Sequence, residues 1–199
     1  MDQAATAQAV PFDPIAGAPP IRLFNLVWCA LALGVMVAAI LSGAHWFLNF
    51  VHVASGVLWT GIDLFMGFVV GPVMRGMPFP ARRAFIARLM PKTLFLLPTV
   101  STMTTTAGWF LARQSGYLDM DYPQFWWVLA ALVIVAILTV QGLFILLPTN
   151  LLVYFEVRKP APDGARIGRL MKRYIYVVAS QGAMQIAILV VMARFVTGI

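Results

Sequence analysis

The stretch HWFLNFVHVASGVLWTGIDLFMGFVVG, residues 45–71, decides how this chain folds. Nearly all of its residues are apolar, and Asp63 is the only one with a formal charge. An α-helix of about 20 apolar residues spans the hydrocarbon core of a bilayer, so this stretch is long enough to cross it. It therefore predicts a transmembrane helix.

The composition extends this prediction to the whole chain of 199 residues, which is 61% hydrophobic and 11% charged. Soluble domains are about half apolar and about a quarter charged. The apolar residues form blocks that are each long enough to span a membrane. These blocks cover residues 21–41, 46–70, 92–112, 125–154 and 173–195. We predict an all-α polytopic membrane protein, a bundle of about five transmembrane helices over residues 21–199, with a flexible N-terminal tail over residues 1–20.

The positive charges predict how this bundle is oriented. The net charge is +7, with 14 Lys and Arg against 7 Asp and Glu. All but Arg113 and Arg194 lie beside the first helix or in the connections after the second and fourth helices, on one side of the predicted bundle. Basic connections are typical of the cytoplasmic side. We therefore predict a multi-pass protein of a bacterial inner membrane, with a cytoplasmic N-terminus, a periplasmic C-terminus and no nucleic-acid partner.

The strongly polar residues of the 45–71 stretch share one helical face with Trp59 and two glycines. At about 100° per residue they fall within roughly 40° of the direction of His45. They are His45, Asn49, His52, Gly56, Trp59, Asp63 and Gly67. An ionisable side chain that faces lipid is costly, so this face is predicted to turn toward the bundle interior. It holds both histidines of the chain and the only acid within a predicted span.

Depth in the membrane separates the ionisable residues of this face. At about 1.5 Å per residue, His52 lies about 10 Å and Asp63 about 27 Å below His45. His45 is therefore interfacial, whereas His52 is a candidate metal ligand, because a neutral imidazole is a natural axial ligand of haem b. Gly56 and Trp59 would lie beside such a cofactor.

Asp63 has two interpretations. It is a candidate for a proton or ion path, because intramembrane carboxyl groups often mark such paths. It is equally a candidate for a structural ion pair with Arg75 or Lys92 near the cytoplasmic side.

The last predicted helix supplies further candidates. Gln181 and Gln185 fall on one inward face, where they could bond a quinone or a haem propionate, although bonding between helices is the commoner use of such side chains. A second haem ligand would have to come from another helix, and the candidates are Met103, Met184 and Met192.

The pattern Trp46-x5-His52-x3-Gly56-x2-Trp59-x-Gly61 resembles the opening of the urate-hydroxylase membrane-domain family. The resemblance covers roughly residues 45–195 and continues at 89–94, at Gly108-Trp109 and, more loosely, at 147–150. The segment from His52 to Gly61 also resembles a wider set of small membrane bundles. These include the haem-b-dependent membrane protoporphyrinogen oxidases and the copper-resistance D proteins. The resemblance implies a helical membrane bundle, with His52 as a haem ligand.

Three functions fit these residues. The first is a haem-b redox protein that uses His52 and passes electrons between a quinol and a separate partner, such as cytochrome c. The second is a copper or proton-coupled transporter that uses His45, His52 and Asp63, since imidazole and thioether groups suit Cu(I). The third is an accessory subunit of a larger membrane complex. The sequence leaves open whether the protein is an enzyme and whether it forms a homo-oligomer.

Overall fold

The structure, a computed structural model, describes residues 13–198, which form an all-α bundle without strands. The first twelve residues of the predicted tail lie outside the described residues. The long helices are α1 (Asn25–Ser42), α2 (His45–Gly76), α3 (Phe79–Gln114), α4 (Phe125–Val157) and α5 (Gly164–Val196). The predicted all-α bundle of about five helices is confirmed.

Four of these helices, α1, α2, α4 and α5, are long and apolar enough to cross a membrane. Helix α3 is longer still but more polar, and it packs most extensively against α2, then against α1 and the second half of α4. Its hydroxyl groups bond the preceding turn of their own helix: Thr99 Oγ1 donates to the Phe95 carbonyl at 2.7 Å, and Thr104 Oγ1 to the Val100 carbonyl at 2.8 Å. Such bonds satisfy hydroxyl groups away from water.

Helices α3 and α5 begin well before the apolar blocks that predicted them. The blocks begin at residues 92 and 173, whereas the helices begin at Phe79 and Gly164. The basic residues assigned to connections are therefore largely helical, and the connections shrink to residues 77–78 and 158–163. Hydropathy marks only the part of a helix that lies in lipid, and arginine, lysine, alanine and leucine are good helix formers that continue it beyond.

Helices α2 and α4 each contain a π-helical turn, at Met66–Val70 and Gln141–Leu146. A proline follows each turn by two residues, Pro72 in α2 and Pro148 in α4. Proline lacks the N–H that an α-helix needs, so the regular hydrogen-bond pattern cannot continue through it. The local widening moves neighbouring side chains around the helix axis, and such turns are frequent at functional sites.

Residues 13–20 lie against the basic end of the bundle. Arg88 donates a hydrogen bond to the Ala16 carbonyl at 3.0 Å, and Ala18 is buried in an apolar cluster formed with α3, α4 and α5. This part of the predicted flexible tail is therefore held by specific contacts.

The connection between α4 and α5 is held by one buried carboxylate. Glu156 accepts hydrogen bonds from Lys159 Nζ at 2.8 Å and from the Asp163 backbone N–H at 3.2 Å, and it lies 3.3 Å from an Arg166 guanidinium nitrogen. Asp163 then caps α5 by accepting a hydrogen bond from the Arg166 backbone N–H at 3.0 Å. That bond lowers the pKa of the Asp163 carboxyl group, which stays ionised at neutral pH.

Candidate functional site

His52 is half-buried against α3, and its imidazole lies over Gly108. The ring atom Nδ1 is 2.9 Å from the Thr104 carbonyl oxygen. A carbonyl can only accept, so Nδ1 carries a proton, and in the neutral ring Nε2 then presents its lone pair. A Cβ atom at position 108 would lie 2.7 Å from Cε1 of the imidazole, so only glycine leaves room for the ring in this position.

The close approach of α2 and α3 continues one turn further along α2. A Cβ atom on Gly56 would meet Thr104 Cγ2 at 3.4 Å, which is a tight but ordinary contact. Gly56, predicted to leave space beside a cofactor, therefore lies against the helix that holds the His52 ring. The space beside Gly56 is thus filled by the Thr104 side chain of the neighbouring helix.

The other two aromatic residues of the predicted site lie apart from His52. His45 is the exposed first residue of α2, about 10 Å from His52 along the helix axis. Trp59 is 7% exposed and packs with Val100 and Leu138 in the middle of the bundle. The predicted polar face of α2 is thus spread over three depths: the exposed start of the helix at His45, the contact of His52 with α3, and the apolar cluster around Trp59.

Asp63 is 7% exposed, and its Oδ2 accepts a hydrogen bond from Gln185 Nε2 at 2.8 Å. The ion pairs within residues 13–198 all involve Glu156, so the alternative pairing of Asp63 with Arg75 or Lys92 is not formed. A buried carboxylate without a cation is costly, and it must gain a proton, a bound cation or water.

A cavity of about 60 Å³, with a largely apolar lining and several polar side chains, lies beside Asp63, between α2, α3, α4 and α5. One water molecule needs roughly 10–15 Å³ of such space, so the cavity has room for a few waters. Its polar lining includes Asp63, Ser101, Thr102, Thr105, Thr139 and Gln181. This arrangement places hydroxyl groups and space for water around Asp63, the only carboxyl group that the described residues bring to the middle of the bundle.

Both glutamines of α5 point inward, and each is at most 2% exposed. Gln181 Nε2 donates to the Leu138 carbonyl at 3.1 Å, and Gln185 Nε2 donates to Asp63. These amide N–H groups, which were candidates for bonding a quinone or a haem propionate, thus link α5 to α4 and α2. Gln185 Oε1 is buried without a hydrogen-bond partner.

Two of the candidate second ligands pack into apolar clusters of the bundle. Met103 packs against the cluster of Met36 and Leu48 between α1, α2 and α3, and Met184 packs beside Trp59. Within residues 13–198, no three His, Cys, Asp or Glu side chains are close enough to hold a metal together. His52 is therefore the single imidazole that this site offers.

Two parts of the His52 site were missed by sequence reasoning. The Thr104 acceptor is a main-chain carbonyl, which leaves no mark in a sequence. Gly108 was noted only as part of the family pattern, and its role becomes visible once α3 is placed against α2. A glycine inside an otherwise helical, Thr-rich stretch was the one available signal, because such glycines often mark close packing.

Comparisons with protein-family models, curated proteins and solved structures found no match to this chain. The resemblance to the urate-hydroxylase membrane-domain family therefore stays a prediction.

Proposed function

We propose that this protein is a membrane redox protein that binds haem b through His52 and transfers electrons to a separate partner. The observation that carries the proposal is the state of the His52 ring, with Nδ1 bonded to the Thr104 carbonyl and Nε2 unpaired among the described residues. Histidines that ligate metals commonly donate their other nitrogen to such an acceptor, which orients the ring and raises its basicity.

The residues present supply one imidazole that would ligate the haem, but they do not form an enclosed pocket large enough for it. The cavity beside Asp63 is about 60 Å³, well below the roughly 300–1,000 Å³ of a small-molecule site, and His52 does not line it. His52 is only half-buried, so a haem would be held against the exposed side of its ring.

When bound, haem b supplies one-electron transfer. The chain supplies the ligand and its orientation: the Thr104 carbonyl holds the His52 proton on Nδ1, and Gly108 leaves room for the ring. A redox protein of this kind needs a donor and an acceptor. A membrane quinol is the proposed donor, and a cytochrome c or a larger membrane complex is the proposed acceptor.

The proposed location is a bacterial inner membrane, with the basic end of the bundle in the cytoplasm. The support is the concentration of Lys and Arg at the end where α2 meets α3 and α4 meets α5, which is the distribution expected for cytoplasmic segments. His52 then lies in the periplasmic half and Asp63 in the cytoplasmic half.

A reduced-minus-oxidised absorption spectrum tests the haem proposal. We expect protein purified after growth with ample haem to show Soret and α bands. The His52→Ala variant should lose them, because the other histidine, His45, lies about 10 Å away along α2 and cannot take the place of the ligand. The matched control is His45→Ala, which removes the exposed histidine and should keep both bands. Wild-type protein without these bands would contradict the proposal.

A second candidate function is proton-coupled transport through Asp63. The observation that favours it is the buried carboxylate with no cation partner beside a hydroxyl-lined cavity. His45, His52 and Asp63 are about 10 and about 16 Å apart along α2, so they suit a path better than one shared copper site.

Proton flux into liposomes tests this candidate. With a pH-sensitive dye inside, wild-type protein should acidify the lumen under an imposed gradient. Asp63→Asn should abolish the flux, because it keeps an acceptor for Gln185 but cannot exchange a proton at neutral pH. Equal flux with wild type and Asp63→Asn would remove Asp63 from the path.

A further inference from the structure

A second cavity, of about 30 Å³, lies toward the basic end of the bundle. Its lining includes four of the chain's 11 methionines, and these come from three different helices. Met66 and Met74 belong to α2, Met90 to α3 and Met171 to α5. Methionine often fills irregular gaps in cores, so the grouping alone identifies no ligand.

The amide side chain of Asn150 points to an occupant. Asn150 lines the same cavity and is 9% exposed, and its Oδ1 has no hydrogen-bond partner. Buried polar atoms are almost always satisfied, so an unpaired buried acceptor favours a hydrogen-bond donor or a cation beside it. Tyr174 lines the cavity as well.

The size of the cavity limits what this group can be. About 30 Å³ holds one or two water-sized species and excludes an organic ligand. The lining residues that carry donor atoms are the four methionines and the uncharged Thr93, Asn150 and Tyr174, so the donors on offer are thioether sulfur and neutral polar groups. Hard cations such as Mg²⁺ and Ca²⁺ prefer several carboxylate or carbonyl oxygens, whereas thioethers select Cu(I).

We propose that the cavity lined by Met66, Met74, Met90, Met171 and Asn150 binds a soft monovalent cation, with Cu(I) as the natural ion and Ag(I) as its mimic. The site is separate from the haem proposed at His52 and does not depend on it.

An ionisable carboxyl group close to this cavity supports a cation there. Thr93 and Leu97 line both this cavity and the 60 Å³ cavity beside Asp63, so the two cavities are neighbours. The Asp63 carboxylate has no cation of its own among the described residues. It can therefore offset the charge of an ion whose direct ligands are neutral.

Metal titration of the full-length protein in detergent tests the proposal. We expect one equivalent of Ag(I), or of Cu(I) kept reduced with ascorbate, to bind in competition with a chromophoric chelator. The Met74→Leu/Met90→Leu variant should bind at least tenfold more weakly, and each single variant should be intermediate. Leucine conserves the volume of methionine, so the fold should be retained, and the melting temperature of the metal-free protein checks this.

The matched control is Met36→Leu/Met184→Leu, which changes two methionines in other clusters and should bind Ag(I) like the wild type. Sulfur neighbours in the X-ray absorption spectrum of the Cu(I) protein would support the site. The proposal is overturned if wild-type protein binds no Ag(I), or if Met74→Leu/Met90→Leu binds as tightly as wild type. The methionines would then be packing residues, with water on Asn150. It is also overturned if His52→Ala alone removes binding, because the ion would then lie on the histidines.

Discussion

The Gly108→Ala protein is expected to lose the hydrogen bond between His52 and Thr104 and, with it, the haem bands. The added Cβ atom would lie 2.7 Å from Cε1 and 2.9 Å from Nδ1 of the imidazole. These are closer than real Cβ contacts, and the clashing atoms belong to a rigid ring rather than to the end of a flexible side chain. Because α3 is packed against both α1 and α2, its backbone has little freedom to withdraw.

The expected cost of Gly108→Ala in unfolding free energy is about 1–3 kcal/mol, the range for overpacking a well-packed site. Chemical denaturation in detergent measures it, and the difference spectrum of the same sample measures haem. The control is Gly61→Ala, because a Cβ atom at Gly61 has no neighbour within 4 Å. That variant should keep the bands and be neutral or slightly stabilised, since alanine is the better helix former.

A double-mutant cycle attributes this cost to His52. In the His52→Ala background the ring is absent, so adding Gly108→Ala should cost almost nothing. If Gly108→Ala is equally destabilising with and without the imidazole, the clash lies elsewhere and Gly108 does not position His52.

The helices were predictable because each apolar block is a membrane-length signal that depends on local sequence alone. The ends of the helices were less predictable. Helix α3 begins at Phe79 and α5 at Gly164, before the apolar blocks begin, because hydropathy does not mark the polar turns of a helix. The polar character of α3 was visible in its Ser and Thr residues. Its central position was not, because it depends on how five helices pack together.

The candidate site, too, was predictable only in part. His52 could be found because an ionisable residue in an apolar span is conspicuous, whereas its acceptor is the backbone of Thr104, which any residue could provide. Asp63 was equally conspicuous, but its partner is Gln185, 122 residues away in sequence, rather than the nearer Arg75 or Lys92. Which side chain meets Asp63 depends on the rotation of α5 about its axis. A face of polar residues predicts that α5 turns inward, but not what it meets there.

The Gln185→Leu variant is expected to lose more stability than the matched variant Gln181→Leu, one turn away in α5. Gln185→Leu removes the 2.8 Å hydrogen bond from Gln185 to Asp63 and leaves the buried carboxyl group with Trp59 as its remaining side-chain partner among the described residues. Leaving a buried polar group unsatisfied costs about 1–3 kcal/mol, and more when the group is charged. Gln181→Leu removes a bond to a neutral carbonyl that already lies within helix α4, so it should cost less.

The Asp63→Leu/Gln185→Leu double variant separates the lost hydrogen bond from lost packing. Replacing both partners by apolar side chains removes the Asp63–Gln185 pair as a whole, so the double variant should recover much of the stability lost in Gln185→Leu. Chemical denaturation of the wild type, both single variants and the double variant in detergent gives the coupling free energy. If the double variant is as unstable as the sum of the single variants, the two side chains are not coupled and the cost is one of packing. Haem bands at His52, about 16 Å from Asp63 along α2, should be unchanged in every protein that folds.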